Sequence, residues 1–218
     1  QRQMCIRDSY YLYYAYDFLG RMGVAVSDKP QGPYEYYGHV RYADGREWGS
    51  RSGDEFPFDP GALVDDDGRV YLYSGFATKV PFIMSRFHNL RNSGGVGMEL
   101  EQDMLTIKDK MQLIFPQKDN NPPTEFAGHA FFEASSIRKV GDTYYFIYSS
   151  ELSHELCYAV SDSPCRSFVY GGTLVDNADL GLCDTARYFT GNNHGSIEQI
   201  NGRWYVFYHR HTNSSLFC

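Results

Sequence analysis

Three side chains able to take part in acid–base chemistry recur at one position of this sequence. Asp59 in FPFDPG and Glu133 in FFEASS each lie 12 residues before a tyrosine, and His194 in NNHGSI lies 11 residues before another. Carboxylic acids and imidazoles are the groups that most often give or take protons in catalysis. The shared offset predicts that the three side chains occupy equivalent places in a repeated structural unit.

The repeated unit is marked by four aromatic runs of the kind that form β-strands. The last three runs follow the turn signals DDG, VGD and NG, which are typical of hairpins. Aligned on one tyrosine each, neighbouring runs lie 60, 74 and 60 residues apart, which is room for about four short strands. The runs are YYLYY at 10–14, VYLYS at 70–74, YYFIY at 144–148 and WYVFY at 204–208.

A second repeated segment extends the unit beyond one hairpin. VAVSDKP at 24–30 and YAVSDSP at 158–164 each begin 13 residues after the reference tyrosine of their unit. Glycine and proline interrupt the chain often, and no long window has the apolar period of a helix. We therefore predict an all-β fold, a β-propeller, with a β-sandwich as the alternative.

A propeller would explain why the three polar residues share an offset. Its blades are related by rotation about a central axis, so Asp59, Glu133 and His194 would converge on one pocket at the channel mouth. Contact with Phe131 and Phe132 would disfavour the charged form of the Glu133 carboxyl group. Glu133 is therefore the candidate general acid.

Composition narrows the choice of partners. A net charge of −7 and the lack of any lysine or arginine run argue against nucleic acid. No stretch approaches the roughly 20 apolar residues of a membrane span, so we expect no membrane partner. The five cysteines are an odd number without a CxxC pair, which predicts free thiols and neither a zinc knuckle nor a closed disulfide set.

The segments that carry the three polar residues resemble glycoside hydrolase family 43, the five-bladed β-propeller glycosidases. FDPGALVDDDGRVYLYSGF is similar to the third blade of that family, FFEASSIRKVGDTYYFIYSS to the fourth and NNHGSIEQINGRWYVFYHRHTN to the fifth. The resemblance covers nearly all of the chain from Tyr10 onward. It implies a five-bladed propeller of which about four blades, the second to the fifth, are present in residues 10–218.

The resemblance also implies a role for each polar residue in an inverting hydrolase. Glu133 matches the general acid of the family. Asp59 matches a third carboxylate, which orients that acid and modulates its pKa. His194 matches an axial histidine that in many members lies beside a water-coordinated calcium ion, so a metal contact of His194 would pass through water.

The implied substrates are oligosaccharides or polysaccharides of plants that contain arabinose or xylose. The activity would be that of an α-L-arabinofuranosidase or β-xylosidase, or of an endo-arabinanase. Phe58, Phe132, His194 and Arg210 are the predicted substrate contacts. A non-catalytic carbohydrate-binding propeller is the alternative function, and propeller glycosidases acting on fructose or mannose are a third possibility.

Five further residues are weaker candidates. Trp48 or Phe126 could stack on a sugar ring, although most propeller aromatics pack between blades. His129, four residues before Glu133, and the pair Asp184 and Arg187 lie in segments that could cross the channel mouth.

The sequence also departs from the family pattern at its start. The general base of the family is an aspartate of the first blade, and this chain begins within the second blade, so we predict a fragment that is inactive by itself. Residues 1–9, QRQMCIRDS, fit no blade pattern and resemble a non-native, adaptor-like leader. Nothing in the sequence assigns the chain to a cellular compartment.

Overall fold

The computed structural model describes residues 8–152, 154–176 and 193–209, together with the backbone of residues 2–6. This part of the chain forms antiparallel β-sheets joined by loops and by three short 3-10 turns. No helix among these residues is long or apolar enough to cross a membrane. The 3-10 turns are Asp17–Leu19, Lys118–Asn120 and Thr124–Phe126.

The strands form four sheets in chain order. The first sheet contains β1 (Arg2–Ile6), β2 (Ser9–Ala15), β3 (Met22–Ser27) and β4 (Glu35–His39). The second contains β5 (Gly61–Val64), β6 (Val70–Ser74), β7 (Gly94–Leu100) and β8 (Gln112–Pro116). The third contains β9 (Phe131–Val140), β10 (Thr143–Ser150), β11 (Leu156–Ser161) and β12 (Val169–Val175). The fourth contains β13 (His194–Ile200) and β14 (Arg203–His209).

The sheets are arranged as blades around an axis. Within each sheet the strands neighbour one another in chain order, so each sheet is a meander. The first strands of successive sheets contact one another, β1 with β5, β5 with β9 and β9 with β13. This is the arrangement of a β-propeller, and it confirms the predicted fold with four blades in the described part of the chain.

The aromatic runs form the second strand of each blade, as their turn signals predict. VYLYS is the whole of β6, and the other three runs lie within β2, β10 and β14. The turn between β13 and β14 uses Asn201 and Gly202, whose φ angles of 51° and 77° are those of a tight hairpin. These hairpins fix the register that places equivalent residues at equivalent depths.

The segment at the start of the chain also adopts extended backbone. β1 pairs with β2 from Arg2 opposite Tyr13 to Ile6 opposite Ser9, and it takes the innermost place of the first blade. The free edge of a strand can pair with almost any extended segment, because the pairing uses backbone groups alone. The assignment of residues 1–9 as a non-native leader therefore stays a prediction.

Two apolar clusters fill the spaces between blades. One lies between the first and second blades and includes Trp48, and the other lies between the second and third blades and includes Phe126. Trp48 is 0% exposed and Phe126 3% exposed. The suggestion that either side chain stacks on a sugar ring is therefore wrong, since both rings are consumed by packing between blades.

A buried ion pair joins the second and third blades. The Asp65 carboxylate accepts hydrogen bonds from Lys139 Nζ at 2.7 Å and from the Tyr144 hydroxyl at 2.5 Å. Burial opposes ionisation of Asp65, but the bonds from Lys139 and Tyr144 outweigh it and hold the pKa of Asp65 below its ordinary value. Lys139 also contacts the exposed carboxylate of Asp66 at 2.9 Å.

We expect Asp65→Ala to lower the free energy of unfolding by about 2–3 kcal/mol, because it leaves two buried donors without an acceptor. The matched control Asp66→Ala removes an exposed partner of the same lysine and should cost below about 1 kcal/mol. A lowered folded-state pKa stabilises the fold above the ordinary aspartate pKa, and this contribution disappears as pH falls through the lowered value. Urea unfolding near neutral pH and in acid measures both effects, and equal losses for the two variants would contradict the assignment.

Candidate active site

The three polar residues of the sequence pattern meet at the propeller axis. Asp59 lies two residues before β5, Glu133 is the third residue of β9, and His194 is the first residue of β13. Their nitrogen and oxygen atoms all lie within 4.8 Å of one another. The rotation of the blades thus brings together residues that are 61 and 75 positions apart along the chain.

The innermost strands approach one another closely near these residues. A Cβ atom at Gly61 would lie 2.7 Å from the Ser135 carbonyl oxygen, which is closer than real Cβ contacts allow. Glycine at this position therefore lets β5 come up against β9. The Ser149 hydroxyl, opposite Glu133 in β10, donates to the Asn193 carbonyl and ties the start of β13 to the third blade.

A β-bulge directs Glu133 toward the axis. The pairing of β9 with β10 shifts register between Ile147 and Ser149, and Ala134 takes a left-handed φ of 65°. This conformation is uncommon for a residue with a side chain, and bulges that redirect a side chain are frequent beside active sites. The turned Ala134 N–H group donates to Asp59 Oδ2 at 3.2 Å, so the bulge also anchors the second carboxylate.

Glu133 contacts two histidines. Its Oε1 atom lies 2.9 Å from His194 Nε2 and 3.6 Å from His154 Nδ1. The side chain is almost buried, with 8% of the residue exposed. An imidazole that bonds a carboxyl oxygen can fix its orientation and pass a proton to or from it, so Glu133 is held in place on two sides.

The electrostatics of Asp59 differ from those of an ordinary surface aspartate. Burial raises the pKa of Asp59, His194 opposes this rise, and the nearby Glu133 carboxyl group adds to it. Two carboxyl groups in such proximity favour a state in which one of them keeps a proton. The site can therefore supply a proton to a bound substrate.

Four phenylalanines form an aromatic wall beside the carboxyl groups. Phe58 stacks on Phe18 with ring centroids 5.5 Å apart and lies 4.7 Å from Phe76. Phe132 contacts Phe76 edge to face and packs on His154 at 4.2 Å. Phe58 and Phe132 are half-buried, so part of each ring remains accessible next to Asp59 and Glu133.

The sequence pattern missed His154, Phe18 and Phe76. His154 lies in the turn between β10 and β11, with a left-handed φ of 52°, and it has no counterpart at the same offset in another unit. Phe18 belongs to a 3-10 turn of the first blade, and Phe76 follows β6. The one available signal was that Phe76 comes directly after an aromatic run, at the end of the blade that carries Asp59.

An open cavity of about 510 Å³ lies at the axis behind these groups. Its polar lining consists of Asp59, Ser135, His194, Ser196, Tyr208 and His209. Calcium takes six to eight oxygen ligands, many of which can be waters. One carboxylate, three hydroxyl groups and room for water fit a calcium ion that is largely hydrated, with imidazole in its outer shell.

The remaining candidates do not join this site in the described part of the chain. Arg210, Asp184 and Arg187 lie outside the described residues. His129 instead pairs with Glu155, through a contact of 2.8 Å between Nδ1 and Oε2.

A propeller whose axial pocket gathers two carboxyl groups beside an aromatic wall has the features of a carbohydrate-active hydrolase. Residues 4–218 match Glycosyl hydrolases family 43. The chain belongs to this family, which confirms the resemblance that the three blade segments carry.

Known relatives and solved structures agree with this membership. The chain is 48% identical over 213 residues to a xylosidase/arabinosidase of Thermoclostridium stercorarium, which covers 95% of the chain and 43% of that relative. An α-L-arabinofuranosidase structure from Clostridium thermocellum superposes with a TM-score of 0.66 at 28% identity, covering 95% of the chain and 59% of that protein.

A second solved structure is a β-xylosidase/α-arabinofuranosidase from a compost microbial metagenome, in complex with xylotriose and in a calcium-free form. It superposes with a TM-score of 0.68 at 28% identity and covers 94% of the chain and 62% of that protein. The chain thus spans between about two-fifths and three-fifths of the length of these proteins.

Proposed function

We propose that this chain carries the general acid of a glycosidase that hydrolyses α-L-arabinofuranosides or β-D-xylosides with inversion of configuration. The observation that supports the proposal is the convergence of Glu133, Asp59 and His194 within 4.8 Å at the propeller axis. In this proposal Glu133 protonates the departing glycosidic oxygen. Asp59 orients Glu133 and favours its protonated form, because a neighbouring negative charge opposes ionisation.

The separation of the two carboxyl groups supports this division of roles. An inverting pair of acid and base lies about 6.5–9.5 Å apart, to leave room for the attacking water. Asp59 and Glu133 lie closer than this, so Asp59 fits a supporting carboxylate better than the base. We assign the base to an aspartate of the family's first blade, which we do not identify in this chain.

Substrate binding would use the aromatic wall and the axial polar groups. The exposed parts of Phe58 and Phe132 can pack on the apolar face of a pentose ring, next to the acid that must reach its glycosidic oxygen. His194 would contact a sugar hydroxyl or a water molecule. Arg210 follows β14 directly and remains a candidate contact.

Calcium is the cation we propose for the axial cavity. Asp59 and the hydroxyl groups of Ser135 and Ser196 would face the ion through water, with His194 beside it. A hydrated divalent cation at this place supplies positive charge that helps to fix the axial groups. The calcium-free form of one structural relative supports the idea that calcium binds in related proteins.

The experiment that tests the function is a chimera. In the Thermoclostridium stercorarium relative, the matched region would be replaced by residues 10–218 of this chain, so that the remaining blade is supplied by the relative. We expect the chimera to hydrolyse aryl α-L-arabinofuranosides or aryl β-D-xylosides, and the chain alone to have no activity above background. Activity of the chain alone at the rate of the chimera would contradict the assignment of the base.

The stereochemistry of the product provides a second measurement on the same chimera. Proton NMR during hydrolysis should show the product of inverted anomeric configuration first. Retention would indicate that Asp59 acts as a nucleophile, since retaining pairs lie about 5–5.5 Å apart. Saccharide binding without turnover of either glycoside would instead favour a non-catalytic carbohydrate-binding propeller.

A further inference from the structure

A second cluster of metal-ligating side chains lies in the third blade. His129 precedes β9, Glu155 ends the turn between β10 and β11, and Cys157 is the second residue of β11. We refer to these three residues as the His–Glu–Cys cluster. Their candidate ligand atoms lie within 4.8 Å of one another, and the proposed glycosidase mechanism uses none of them.

The spacing within the cluster resembles one face of a tetrahedral metal site. His129 Nδ1 lies 2.8 Å from Glu155 Oε2, Cys157 Sγ lies 3.6 Å from the same oxygen, and Sγ and Nδ1 are 4.0 Å apart. Around a tetrahedral zinc ion, nitrogen and oxygen ligands are about 3.3 Å apart and sulfur lies about 3.6 Å from either, given Zn–N/O and Zn–S bonds of about 2.05 and 2.3 Å. Small side-chain shifts would therefore suffice.

The backbone around the cluster is already fixed. The Tyr148 hydroxyl donates to the His129 carbonyl, and the His129 N–H group donates to the Phe126 carbonyl. Glu155 is held by paired backbone bonds, because its carbonyl accepts from Ser150 N–H and its own N–H donates to Leu152. The ligand groups are thus presented by ordered backbone on three different elements.

Neighbouring side chains provide an outer shell. The Tyr170 ring stacks on the His129 imidazole with centroids 4.7 Å apart and fixes its plane. The hydroxyl groups of Thr173 and Tyr170 lie 3.6 Å and 3.9 Å from Cys157 Sγ. Outer-shell contacts of this kind orient metal ligands and support a thiolate.

Charge and access also favour a cation. The Glu155 side chain is 4% exposed, and within the described residues its ion-pair partner is His129. A buried carboxylate needs a compensating positive charge. Cys157 is completely buried, whereas the His129 side chain is 27% exposed and offers a path from solvent.

We propose that His129 Nδ1, the Glu155 carboxylate and Cys157 Sγ bind a zinc ion, with the fourth position open to water. Mixed nitrogen, oxygen and sulfur donors suit zinc better than calcium or magnesium, which prefer oxygen ligands. The site is separate from the proposed calcium position. Because Glu155 follows His154, whose Nδ1 lies 3.6 Å from Glu133 Oε1, zinc would also fix the turn beside the general acid.

Cobalt titration of the metal-free chain tests the proposal, since cobalt replaces zinc and a thiolate ligand gives it an intense near-ultraviolet absorption. The background would carry serine in place of Cys5, Cys183 and Cys218. We expect one equivalent of cobalt to produce this absorption and zinc to displace it. Cys157→Ser should abolish the band, while the matched control Cys165→Ser should leave it unchanged.

A second variant protects the test against a folding defect, because Cys157 is buried in the core. His129→Gln changes a partly exposed side chain, so circular dichroism should stay native while zinc affinity falls by about 10-fold or more. His194→Ala, at the axial site, should leave affinity unchanged. Loss of cobalt binding in His194→Ala, retention of the band in Cys157→Ser, or unaltered affinity in His129→Gln would each overturn the proposal, and none of these measurements depends on glycosidase activity.

Discussion

Glu133→Gln in the chimera should lower kcat/KM by about 10³-fold for glycosides with poor leaving groups, because a general acid typically contributes 10²–10⁴-fold. The amide keeps the size of the side chain and can still bond His194 Nε2, which lies 2.9 Å from Oε1 in the native protein. Substrate binding should therefore change little, and the loss should fall on kcat. Steady-state kinetics on aryl glycosides measures both parameters.

The leaving group separates loss of the acid from general damage to the site. A dinitrophenolate needs no proton to depart, so Glu133→Gln should be nearly as active as the parent on dinitrophenyl glycosides. The matched control is Glu125→Gln, an exposed glutamate in the 3-10 turn before β9, which should keep full activity on all substrates. A loss of the same size for good and poor leaving groups would refute the role of Glu133 as the acid.

The convergence of the axial residues was predictable from sequence because a propeller converts a repeat into a rotation. Asp59, Glu133 and His194 share an offset from an aromatic strand, and that strand is the second of each blade. Once the repeat is aligned, the three residues must face a common axis. The positions of the second strands and their turns follow from the same reasoning, since hairpin signals are local.

The surroundings of the acid were not predictable for a physical reason. His154 reaches Glu133 from a turn that differs between blades, so no repeat offset marks it. The left-handed Ala134 that bonds Asp59 arises from a bulge, and a bulge depends on pairing across two strands. Trp48 was misassigned because aromatic composition does not tell which face of a blade a ring occupies.

The same limit applies to the His–Glu–Cys cluster. Counting cysteines gave no zinc site, because motif rules look for two or more cysteines at short spacing. Here one cysteine, one histidine and one glutamate come from three elements of a single blade. Such a site is defined by the fold of the blade and has no linear signature.

Asp59→Asn should separate catalysis from stability, because its effects on the two are opposite in sign. Catalytically, the change removes the negative charge next to Glu133, so we expect a loss of about 10²-fold in kcat. The alkaline limb of the pH–rate profile should move to lower pH, since a charge that favoured the protonated acid is gone. Rate measurements on the chimera across pH test both expectations.

The effect on stability follows from the raised pKa of Asp59, which burial chiefly causes. A raised pKa means that the folded state holds its proton more tightly, so stability falls as pH rises from the ordinary aspartate value through the raised one. Asparagine carries no charge and tolerates the left-handed φ of 45° found at Asp59. The variant should therefore melt at the same or a higher temperature than the parent at neutral pH, and this gain should vanish in acid.

A control and a contradicting outcome complete this test. Asp66→Asn, in the same blade and 83% exposed at its side chain, should change neither the rate nor the pH dependence of melting. If Asp59→Asn melted well below the parent at neutral pH, the carboxylate would be a structural anchor for the Ala134 N–H group. Lower activity with equal or higher stability is instead the expected mark of a charge that the fold holds in place for catalysis at a cost in stability.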